Sequence, residues 1–135
     1  MMDYNDVDDY INSLLKTFDG LNHSAFLSPN RPLDGAGAFQ IPSNKVWVRW
    51  YTNYRTVMTG MGDTPCDRWW GILTFQIFTP KGQGTRKAND LAYKLSKHFA
   101  YKSYVDVEFF EAERTYQGSN DTEYQTNLDV RFRVR

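Results

Sequence analysis

The stretch DRWWGILTFQIFT, residues 67–79, most limits what this chain can fold into. Its alternate positions are apolar on both sides, with Trp69, Leu73, Phe75 and Ile77 on one and Trp70, Ile72 and Phe78 on the other. The period of two specifies a strand, and a strand apolar on both faces needs a cover on each. A helix on one face and a loop or a neighbouring subunit on the other would supply those covers. The 135 residues are enough for one domain with one core, so a single domain spanning 1–135 is expected.

The rest of the chain arranges itself around that strand. Val7, Tyr10, Ile11, Leu14, Leu15 and Phe18 recur at helical spacing, which predicts a helix from Asp3 to Phe18 with Gly20 as its stop. KVWVRWY, residues 45–51, alternates as a strand and forms a long hairpin with 67–79 across the tip TGMGDTPC. Ala88, Leu91, Ala92, Leu95 and Phe99 mark a second helix over 85–100. VDVEFFEAERT, 105–115, and the alternating C-terminal segment form two further strands across the turn QGSND. Tyr124, Leu128, Val130, Phe132 and Val134 fall on its apolar face, and Arg131 and Arg133 on its polar one. The class is therefore α+β, in the order α-β-β-α-β-β, with a twisted, mostly antiparallel sheet and helices packed on one face. Residues 20–44, rich in Pro and Gly, read as a long connector inside the domain.

Local chemistry points away from a ligand. FTPKGQGTRKAND, 78–90, has a strand, two glycines, a Thr and a basic helix, yet it lacks the GxxxxGK[ST] and GxGxxG spacings that wrap phosphates. It reads as a corner: Pro80 ends the strand, the glycines reverse the chain and Thr85 caps the helix. Cys66 is the single cysteine, and His23 and His98 have no ligand spacing with it or with each other. His98 reads as a surface residue, and Asp106, Glu108, Glu111 and Glu113 as the wet edge of a strand. Neither a catalytic constellation nor a cofactor or metal site is expected. No basic leader followed by an apolar run begins the chain, and no segment nears the roughly 18 apolar residues of a membrane helix, so no membrane partner is expected.

The formal net charge is zero, so any electrostatic pull is local. Residues 1–20 carry Asp3, Asp6, Asp8, Asp9 and Asp19 against Lys16, while 81–102 carry Lys81, Arg86, Lys87, Lys94, Lys97 and Lys102 against Asp90. A nucleic-acid-binding module using the basic stripes is an alternative that the zero net charge disfavours.

The succession PNRPLDGAGAFQIPSNKVWVRWY, RWWGILTFQIFTPKGQGT, a helix containing ANDLAYKLSKHF and two final strands resembles the tail terminator and tail completion proteins of long-tailed bacteriophages. The resemblance spans about Pro29 to Arg135; the Trp content and the acidic first helix depart from it. It implies a structural virion protein at the head-proximal end of the tail, made in the host cytoplasm. Its partners would be copies of itself in a ring of six, the tail tube protein and the head–tail connector or neck proteins, with DNA passing through the lumen without sequence readout. A head-completion or neck protein is the neighbouring alternative. The expected subunit or tube contacts are Arg31, Asp34 and Phe39 in the connector, Met58, Met61 and Asp63 at the hairpin tip, and Trp70, Arg86, Lys87, Arg131 and Arg133.

Overall fold

A computed structural model describes residues 3–29, 31–33, 45–59, 66–82, 85–104, 106–119 and 123–134. Helix α1, Tyr4–Lys16, opens with a capping box: the Asp6 N–H donates to Asp3 Oδ1 at 2.8 Å and the Asp3 N–H to Asp6 Oδ2 at 2.9 Å. A short 3-10 turn, His23–Ala25, leads into strands β1, Phe26–Ser28, and β2, Arg31–Pro32. The long hairpin follows as β3, Trp47–Thr59, and β4, Cys66–Pro80. Helix α2, Arg86–Phe99, precedes β5, Ser103–Tyr104, β6, Val107–Ser119, and β7, Glu123–Val134.

These strands form one seven-stranded sheet in the order β2-β1-β3-β4-β7-β6-β5. Its four long strands are antiparallel throughout, and β1 joins β3 in parallel through Phe26 and Val48. The α+β class holds; the order differs from expectation by the short strands β1, β2 and β5, and the sheet is mixed. Two of those strands lie in the segment expected to be a plain connector. Strands of two or three residues carry too few alternations to be read, and β1 forms because Phe26 is buried beside Val48.

Both helices pack on one sheet face. Val7, Ile11 and Leu15 of α1 and Leu91, Leu95 and Phe99 of α2 share a core with Trp50, Leu73, Phe75, Val130 and Phe132. A buried polar chain ties three elements together: the Trp50 indole N–H donates to Ser28 Oγ at 3.0 Å, and that hydroxyl donates to Asn12 Oδ1 at 2.9 Å. These bonds leave the indole and Ser28 satisfied inside the core.

Three local expectations change. α1 ends before Gly20, at Thr17, whose hydroxyl donates to the Leu14 carbonyl at 2.7 Å. Gly20 instead makes room, since a Cβ there would meet the Phe18 ring at 2.5 Å. Thr85 does sit at the N-cap of α2, but its side chain makes no capping bond; its carbonyl accepts from the Asn89 N–H at 2.9 Å. Gly82 supports the reversal at the corner, with a φ of 87° that favours glycine. His98 is a tie between helices rather than a surface ornament. Its Nε2 lies 2.6 Å from the Leu14 carbonyl, a contact that requires a proton on Nε2, and its ring meets Phe18 edge-on.

Asp8 faces the sheet from α1. Burial, and then the neighbouring Asp9, raise its carboxyl above the ordinary 3.8, and its Oδ1 is buried with no hydrogen-bond partner among the described residues. The native state therefore holds this proton more tightly than the unfolded chain, so its contribution to stability falls as pH rises through and above 3.8. Asp8→Asn removes the buried charge and is expected to raise Tm by about 2–4 °C at neutral pH. At about pH 3 the gain should vanish, because aspartate is then protonated in both states. A gain of equal size at both pH values in thermal melts would contradict this reading.

Candidate interaction surface

Register across the sheet decides which residues share the face away from the helices. Trp70 pairs with Arg55 on β3 and Arg133 on β7, and Ile72 with Asn53 and Arg131. These six side chains therefore stand side by side on the outer face. Trp70 is 39% and Ile72 40% exposed, although both lie on the most hydrophobic strand of the chain. Asn53, Arg55, Trp70, Ile72 and Arg131 line a shallow groove of about 340 Å³ on this face.

Of the three arginines around the apolar pair, Arg133 is the one held firmly in place. Arg133 donates to a Glu108 carboxylate oxygen at 2.6 Å, directly across the β6–β7 ladder, and its guanidinium lies 5.6 Å from the ring centroids of both Trp70 and Phe110. Trp70 and Phe110 stack with centroids 6.0 Å apart, so the indole is supported by neighbours on its own sheet while 39% of Trp70 remains exposed. Arg131 reaches Glu111 only at 3.6 Å, with the side chains 66% and 55% exposed, a pair of small value in water. Arg55 has no ion pair among the described residues. A partner surface bearing carboxylates would be complementary in charge to these two cations.

Toward the opposite end, the same face is closed. Trp47 stacks on Phe78 at 4.2 Å, and both join Ala25 in a small second cluster. The Trp47 indole N–H donates to a Glu123 carboxylate oxygen. Thr74 donates to Asp129 at 2.7 Å. The expected cover on the second face of 67–79 is thus supplied by the chain itself around Phe78, and the Trp70–Ile72 end stays open among the described residues.

The structure gathers Trp70, Arg131 and Arg133 of the expected contact residues into this one patch. Arg86 and Lys87 are exposed in the first turn of α2, on the helix side, and belong to a different surface. Arg31 lies in β2 and Met58 in β3, while Asp34, Phe39, Met61 and Asp63 fall outside the described residues. Ile72, Arg55 and Phe110 were missed as contact residues. Ile72 shares this face with Trp70 by simple alternation, whereas Arg55 and Phe110 reach it only through the fold: the β3–β4 register sets Arg55 opposite Trp70, and Phe110 comes from the irregular stretch of β6.

Burial pushes the Tyr54 hydroxyl up to about 12, so it is neutral at physiological pH. Among the described residues, no three His, Cys, Asp or Glu side chains cluster to hold a metal ion.

No protein-family model matches this chain, and no curated protein does. A solved structure whose designation says nothing of its activity aligns with 100% of this chain and 97% of its own, with a TM-score of 0.74 at 13% identity. At that identity the likeness shows a shared fold alone.

Proposed function

We propose that this chain is a tail terminator: a structural virion protein that assembles as a ring on the head-proximal end of a phage tail tube, stops tube growth and offers the surface that joins tail to head. The observation that carries the reading is the open end of the outer sheet face, Trp70 and Ile72 at 39% and 40% exposure with Arg55, Arg131 and Arg133 around them. An aromatic and an aliphatic anchor ringed by arginines is the composition of a contact centre between proteins, with aromatic and Arg side chains enriched.

Its occupant in this reading is the exposed end of the tube protein, presenting an apolar centre with carboxylates at its rim. Charge sets that requirement, since among the described residues Arg131 has only a weak, exposed partner. Resemblance at the sequence level supports the same role, and one small α+β domain is a suitable unit for a ring. Neck proteins bound to the other side of the ring would complete the head joint.

Phage made without this chain tests the role. Tails of uncontrolled length and filled heads with no tails attached are expected. Particles of normal tail length, with heads joined, would sink the proposal.

A further inference from the structure

The outer patch is one interaction surface; the two long edges of the sheet are another. β1 pairs with β3 only at Val48 and Arg49, so among the described residues β3 has no strand beside it from Tyr51 onward. At the other side, β5 pairs with β6 at Val107 and Glu108, and further backbone bonds reach only as far as Phe110. From Glu111 to Ser119, β6 again has no neighbour opposite β7 among the described residues. Long bare edges display rows of N–H and C=O groups that template pairing with another chain.

We propose that copies of this chain join head to tail by pairing the bare edge of β6 in one copy with the bare edge of β3 in the next, so that a single antiparallel sheet runs from subunit to subunit. Strand direction permits it. In the order β3-β4-β7-β6 every pair is antiparallel, so β6 runs opposite to β3. A rotation about an axis along the strands preserves direction, and the next copy's β3 then meets β6 antiparallel. Repetition of that unlike contact closes a ring where the rotation per subunit divides a full turn and no rise accompanies it.

Charge selects this pairing over like-with-like contacts. On the outer face, the β6 edge carries Glu111 and Glu113, the latter opposite Asp129 in the ladder. The bare part of β3 carries Tyr51, Asn53 and Arg55 on that same face, with Arg49 just before it. Two β6 edges would set carboxylates against each other, and two β3 edges would oppose arginines, whereas β6 against β3 sets carboxylate beside guanidinium. Edge charges commonly serve to repel unwanted strands. Here the two edges bear opposite signs, so the same charges that block self-matched pairing favour the unlike one. This inference says how the ring proposed above is built, but it rests on the sheet edges and its test reads self-association in the absence of any tube.

Sedimentation velocity at low salt over a concentration series provides the test. The wild-type chain is expected to associate beyond a monomer. E111K/E113K makes both edges basic and N53E/R55E makes both acidic, so each variant alone should associate at least about tenfold more weakly. An equimolar mixture should regain assembly, because each basic β6 edge then meets an acidic β3 edge. A wild type that stays monomeric at its highest soluble concentration, variants that associate as well as wild type, or a mixture no better than its components would each overturn the proposal. Amide hydrogen exchange on the wild type gives a second reading that needs no variant: residues 111–119 and 51–55 should slow on association, and unchanged rates there would also overturn it.

Discussion

Gly71→Ala should cost this protein about 3 kcal/mol, near the upper end for overpacking a core, and lower its Tm by roughly 10 °C. Gly71 sits in the middle of β4, opposite Phe132 on β7, on the face covered by the helices. The Phe132 ring lies across the glycine: an added Cβ would come within 2.7 Å of Cε1 and 2.8 Å of Cε2, and nearer still to Cζ. Nor can the ring swing away freely. It is fully buried, with Tyr54 against it at 5.5 Å and Phe109 at 5.7 Å. Relief would require moving all three aromatics or parting β4 from β7. Ile72→Ala, one position along on the open face, is the control and should move Tm little. Equal melting of Gly71→Ala and wild type would show that the ring repacks cheaply.

That glycine also marks a limit of what the sequence discloses. The alternation from Trp69 to Phe78 specifies a strand, and the stripes over Val7–Phe18 and Ala88–Phe99 specify helices, because each repeats its period several times. Gly71 breaks no pattern; its role arises from Phe132, some sixty positions away in the chain, folding across it. The same reasoning separates the contact residues. Trp70, Arg131 and Arg133 form one patch because register sets Trp70 opposite Arg133 and Ile72 opposite Arg131. Arg86 and Lys87 carry the same charge, but α2 packs on the other side of the sheet. Composition can propose a basic residue for a contact; the pairing of distant strands decides whose neighbour it is. His98 follows suit, since its bond to the Leu14 carbonyl depends on how two helices lie together.

The second large effect concerns function rather than stability. W70D/I72D places two carboxylates at the open end of the outer face, among Arg55, Arg131 and Arg133. Both positions are about two-fifths exposed, so the fold should melt within a few degrees of wild type. Binding to a tube end should nevertheless fall by a hundredfold or more. Truncating a central aromatic anchor typically costs about 2 kcal/mol or more, and here the apolar centre is also replaced by charge that repels the acidic rim expected of the partner. Added salt should not restore binding, because the lost contact is mainly apolar. Reversal of Arg131 alone should act differently, weakening attachment in a salt-dependent way while leaving the anchors in place.

Tube length is the quantity that the account commits to most directly. Tail tube protein would be polymerised alone, with the wild-type chain, and with W70D/I72D, and the lengths measured by electron microscopy. The prediction is that wild type yields short tubes closed at one end, whereas W70D/I72D leaves lengths the same as tube protein alone; wild-type tubes as long as those grown without it would contradict the account.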